Sequence, residues 1–241
     1  MRLDAGVPEL HLLPPSVAEL EGWPSLPFET LGRYLPPKLV HPRTTLGEML
    51  EGRRPNEREL EEDVGYLIRV HDRDRFHVFV RELAGRNGQV IDQRELAGEC
   101  GVTHTTIARW LDALERLFVI VQACPAEEDF GKRLVRRRKV FFLDPGYIGE
   151  TGRFESFVAA ALLKRLWHRG EEARLSHWLT STGSEVALVA GGHGFAVPVT
   201  GALTALEKWK RLSPRHAGSL ITAGAEARRT GDVFVYPWFV L

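Results

Sequence analysis

The chain has 241 residues, 44% hydrophobic and 27% charged, and its 32 Lys and Arg balance 32 Asp and Glu. That composition buries a core, excludes wholesale disorder and implies one to two domains. No apolar run reaches the ~18 residues of a membrane span, no leader peptide is visible, and Cys100 and Cys124 make neither a disulfide framework nor a CxxC metal site. A cytoplasmic address without membrane contact is the expectation, and neutrality argues against indiscriminate coating of nucleic acid. The neutral total hides a gradient: net −4 over residues 1–70, zero over 71–150, and +4 over 151–241.

Residues 1–70 are predicted to form a Pro-rich helical arm. Nine of the 14 prolines fall in the first 60 residues, and each removes a donor and biases its predecessor away from helix. Ser16 to Leu20 reads as a short helix with Ser16 and Glu19 spaced as a capping box. Glu57 to Val70 reads as a helix whose acidic start suits the positive end of its dipole.

Residues 71–150 have the rhythm of a winged helix-turn-helix. Phe76, Phe79, Val80 and Leu83 line one helical face, ended by Gly85 and Gly88. Gln93 to Cys100 forms a second helix closed by Gly101. Thr103 caps a third, on which Ile107, Leu111, Leu114 and Leu117 mark the inner face. Phe118 to Ala123 and a second extended stretch, Leu134-Val135 with Val140 to Leu143, then read as a β-hairpin stopped by Asp144-Pro145-Gly146. On that plan the third helix turns His104, Thr105 and Arg109 outward to bases or phosphates, with Asp112 opposing them. Lys132, Arg133, Arg136, Arg137, Arg138 and Lys139 put six positive charges in eight residues, which would grip phosphates from the wing. A solvated hairpin tip paired with Glu127, Glu128 and Asp129 is the bland alternative.

Residues 151–241 read as α/β. A helix is predicted over Arg153 to His168, then strands over Leu175 to Leu179, Glu185 to Ala190 and Phe195 to Thr200. A helix follows through Leu203, Leu206, Trp209 and Leu212, then strands over Ser219 to Thr222 and Val233 to Val240. A helix-borne Glu, an Asp on one strand and Glu-x-Lys on the next is how restriction-endonuclease-like nucleases hold Mg²⁺. Glu155 supplies the first. The Asp position is Ala187, the Glu position Pro198 and the Lys position Thr200. Glu155 with Glu185 leaves too little charge for a tight hard-cation site. These five are therefore predicted to be vestigial nuclease positions.

Several stretches together resemble the C-terminal part of a large prokaryotic AAA+-type ATPase family that ends in a winged-helix portion and an endonuclease-like portion. They are Leu12 to Leu20, Asp92 to Leu117, Arg138 to Gly146, Phe154 to Val158, and His177 to Val186. The resemblance implies a remnant of the ATPase C-terminal region over 1–70, a winged helix over 71–150 and a degenerate nuclease-like domain over 151–241. It carries over neither activity, because no Gly-x-x-x-x-Gly-Lys-Ser/Thr run exists here and the nuclease Asp and Glu-x-Lys are replaced. The scattered histidines make no HExxH pair, and Ser181 and Ser184 lack a nucleophile elbow.

The expectation is thus an α+β protein with no catalytic residue, metal or cofactor. It would bind double-stranded DNA or regulate through such binding. One alternative is an assembly module docking a separate ATPase or a second copy of itself. Another is a residual metal-dependent nuclease using Glu155, Glu185 and a further ligand.

Overall fold

Side-chain caps start three consecutive helices of the chain, those that begin at Arg73, Gln93 and His104. In this computed structural model, which describes residues 46–51, 57–68, 70, 72–126, 137–171 and 174–241, two short helices come first: α1, Leu46–Glu51, and α2, Glu57–Leu67. Helix α3, Arg73–Gly85, starts where the Asp72 carboxylate accepts from Arg75 N. Helix α4, Gln93–Cys100, is capped by Asp92 and closed by Gly101 at φ 65°, a left-handed stop that suits glycine. Helix α5, His104–Arg116, is capped by Thr103, whose hydroxyl accepts from Thr106 N at 3.2 Å. Phe76, Phe79 and Val80 of α3, Leu96 of α4, and Ile107, Trp110, Leu111 and Leu114 of α5 share one buried cluster. Leu60 and Val64 of α2 join that cluster, so part of the predicted arm is docked. The predicted helix over Ser16 to Leu20 lies outside the described residues.

Strands β1, Ile120–Pro125, and β2, Lys139–Phe142, pair antiparallel, and Val90 bridges to Lys139 beside them. After a 3-10 turn over Pro145–Tyr147, helix α6 runs Arg153–His168. Strands β3, Ser176–Leu179, β4, Glu185–Ala190, and β5, His193–Ala196, form an antiparallel meander. Helix α7, Ala202–Leu212, leads to β6, Ala217–Thr222, then β7, Arg228–Thr230, and β8, Val233–Pro237. Strand β6 lies parallel to β5, and β8 parallel to β6.

The eight strands among the described residues make one mixed sheet in the order β2-β1-β3-β4-β5-β6-β8-β7. The join is Cys124 and Pro125 of β1 lying parallel to Ser176 and His177 of β3. Alternation along the strands sends side chains to opposite faces. Ala187, Phe195, Ile221 and Tyr236 pack with α6, whereas Val186, Ala196, Leu220 and Val235 pack with α7. The sheet is therefore covered by α6 on one face and α7 on the other, and the protein is α+β. Val121, Ala123, Phe141 and Leu143 lie in the same cluster as α6, so the core does not break at residue 150.

Two strand predictions are corrected, and one strand was missed. Strand β5 stops at Ala196, short of Thr200, because Pro198 has no N–H to donate and Val199 N turns back to Val197 O at 2.8 Å. Strand β8 stops at Pro237, and Trp238–Val240 coils into a 3-10 turn. Strand β7, too polar to show an apolar pattern, was not predicted; its residues are all exposed.

Candidate functional site

Two regions carry chemistry-bearing side chains. The first is the outer face of α5. Burial of Ile107, Trp110, Leu111 and Leu114 orients the helix, leaving His104, Thr105 and Arg109 exposed, as predicted from spacing. Thr105, Arg109, Asp112 and Arg116 fall at i, i+4, i+7 and i+11, one stripe along the helix. No acidic residue stands in the first turn, so the positive end of the helix dipole is unopposed there.

The predicted basic wing separates into three kinds of residue. Lys132, Arg133 and Arg136 lie outside the described residues. Arg137 and Arg138 are exposed at the start of the second hairpin arm, and Arg137 pairs with Asp92 at 2.8 Å. Asp92 is held below the usual carboxylate range by the backbone donors of Arg94 and Glu95, with Arg137 adding to them. Lys139 is a correction. The prediction made it a surface phosphate contact, but its side chain is only 3% exposed. Strand β2 is buried along its whole length, and within it the Lys139 ammonium donates to Gly88 O at 2.8 Å and pairs with Glu185.

Both partners, Gly88 and Glu185, line the second region, a cleft of about 430 Å³ against the sheet, and Lys139 stands behind them. Glu155 reaches it from the first turn of α6, where the helix dipole favours a carboxylate. Glu185 and Ala187, two apart on β4, share the face toward α6. Thr200 lines the same wall from the loop after β5. Pro198 instead lines an adjoining groove that also touches Glu155. So four of the five predicted nuclease positions meet in one cleft and the fifth stands beside it.

Electrostatics in the cleft are those of charges removed from water. Burial pushes the Glu155 carboxyl up, and the Lys139 charge works against that rise. Burial pushes the Lys139 ammonium down, and Glu155 works against that fall. Each charge thus offsets part of what burial costs the other. Lys208, on α7, donates to Ser184 Oγ at 2.7 Å at the cleft rim.

Sequence reasoning missed Gly88 and Lys139 as members of this site. Gly88 sits at φ 73°, and a Cβ there would collide with Glu155 Oε2. The Glu155 carboxylate thus packs over a bare Cα, while the same residue's carbonyl receives Lys139. The one available signal was the glycine after Asn87, which suits a left-handed turn. Asn87 anchors that turn. Its Oδ1 accepts from Phe142 N at 2.8 Å and its Nδ2 donates to Gly152 O at 3.3 Å.

The residues do not fit a nuclease metal. A hard divalent ion takes about six oxygens, several of them carboxylates. Here Ala187 offers none, Thr200 at most a hydroxyl, and an ammonium already neutralises one of the two carboxylates. Among the described residues no group of three or more His, Cys, Asp and Glu converges.

Residues 56–154, less than half of the chain, match a family described as a domain of unknown function (DUF8612). No curated protein and no solved structure matches. No helix among the described residues is long and apolar enough to cross a membrane.

Proposed function

We propose that residues 73–142 form a winged helix that contacts double-stranded DNA through α5 and the basic hairpin, and that the α/β part is a nuclease-like fold without catalysis. The single observation that carries the DNA reading is the exposure of His104, Thr105 and Arg109 on a helix whose other face is fully seated. Such a helix presents donors and a positive end to a groove without moving. The bridge from Val90 to the hairpin supports the winged-helix reading, since it supplies the short strand between the first two helices. The nuclease-like reading is supported by the order α6, β3, β4, β5, α7, β6 and by Glu155, Glu185, Ala187 and Thr200 meeting in one cleft. The inert reading is supported by the donor set of that cleft, which does not fit a metal. The resemblance to the C-terminal part of an AAA+-type ATPase family is consistent with such a regulatory role.

Fluorescence anisotropy with a duplex over a salt series tests it. Affinity should fall linearly on a log–log plot, and Arg109→Ala should cost about 1–3 kcal/mol if it reads a base, or lower the salt slope by about 1 if it grips a phosphate. Absence of binding at low salt refutes the DNA reading. If light scattering of that non-binding chain shows self-association, the assembly reading replaces it.

A further inference from the structure

The cleft beside Glu155 has the oxygens of a weak cation site, and a positive charge of the protein's own is bonded to two of them. Three elements supply the parts. The turn after α3 gives the Gly88 carbonyl, α6 gives Glu155 and β4 gives Glu185. The Lys139 ammonium, from β2, bonds the carbonyl and Glu185 and couples electrostatically to Glu155. An ammonium has three donors and no acceptor, so an all-oxygen surround suits it as it would suit a small cation.

We propose that Lys139 is the resident cation of this cleft. It closes the wild-type site to divalent ions, and replacing it by an uncharged side chain uncovers a divalent-cation site made of Glu155, Glu185 and the Gly88 carbonyl. A dication entering the wild-type cleft would stand beside a buried positive charge and compete with it for the same oxygens. Once the ammonium is removed, two carboxylates lining one cleft lose the cation they share, and a divalent ion is then the favoured partner. The same ammonium joins β2 of the hairpin to β4 of the α/β part, so it also ties the two halves of the sheet across the cleft. The inference rests on the nuclease-like reading of the α/β part and deepens it by naming what took the metal's place.

The test uses the full chain, with Mn²⁺ as the probe, in titration calorimetry and thermal melts. Wild type should show no Mn²⁺ uptake that depends on Glu155. Lys139→Met should bind one Mn²⁺ about tenfold or more tighter than wild type and melt higher in its presence. Lys139→Met with Glu155→Gln should lose both effects. If Lys139→Met is unfolded without metal, circular dichroism should show Mn²⁺ restoring its helices, and the double variant should not respond. A Lys139→Met chain that folds and takes up no Mn²⁺, or stays unfolded with it, overturns the proposal while leaving the inert nuclease-like reading intact. Glu155-dependent Mn²⁺ binding by wild type overturns both.

Discussion

His177, on β3, shows how a buried titratable ring ties pH to stability. The carbonyl of Arg137, 2.8 Å from Nε2, only accepts, so Nε2 carries the proton. Nδ1 is buried and finds no partner among the described residues. Burial pulls the ring's pKa from 6.5 down to about 4, the bond to Arg137 opposes the fall, and the charge of Lys139 reinforces it. The unfolded chain takes up this proton below pH 6.5, while the folded chain refuses it until about pH 4. The contribution of His177 to stability is therefore complete above pH 6.5 and is lost as pH falls toward 4, by roughly 3 kcal/mol at most. His177→Gln can keep the donor to Arg137 but does not titrate, so it should flatten that part of the profile. Urea denaturation between about pH 7 and pH 4 measures it. An unchanged slope in the variant would assign the proton uptake to another group. At this scale Glu155 was legible in the sequence because it opens a strongly patterned helix. Lys139 was not, because a run of like charges reads as surface and only the pairing of β2 shows which of them turns inward.

At the scale of elements, α5 depends on its cap. Thr103 satisfies Thr106 N and also exchanges a 2.9 Å hydrogen bond with the Thr106 hydroxyl. Thr103→Ala should lower stability by about 1 kcal/mol, and Thr103→Ser should be nearly neutral. Midpoints of urea denaturation distinguish the two, and equal loss in both would mean that the cap hydroxyl is not the stabilising group. Cap residues and apolar spacing made α3, α4, α5 and α6 legible almost to the residue, since both signals act within one turn. The ends of β5 and β8 were read too far. Apolar residues continue past Ala196 and Pro237, but Pro198 interrupts the first run and Trp238 to Val240 coil after the second.

At the scale of the whole molecule, the sheet decides how the chain unfolds. The pairing of β1 with β3 carries hydrogen bonds across the boundary at residue 150, including Cys124 N to Leu175 O at 3.2 Å and Ala126 N to His177 O at 2.8 Å. One apolar cluster holds residues of β1, β2 and α6 together. The helical part and the α/β part should therefore melt in one transition, with calorimetric and van't Hoff enthalpies equal. Two resolved transitions would show that the shared sheet does not couple the parts.

The sequence by itself determined helices α2 to α7, the outward face of α5, and the presence of strands at β3, β4 and β5. These follow from caps, from side-chain spacing and from turn chemistry, all of which act over a few residues. It also pointed to five positions, of which four line one cleft and Pro198 lines the groove beside it. Only the tertiary structure decided what fills that cleft. Gly88, Lys139, Glu155 and Glu185 come from four elements distant in the chain. Their meeting depends on strand register and on the face each strand presents, and because β2 is buried on both faces a shift of one residue would turn Lys139 away from the cleft into the cluster that holds Val140 and Phe142.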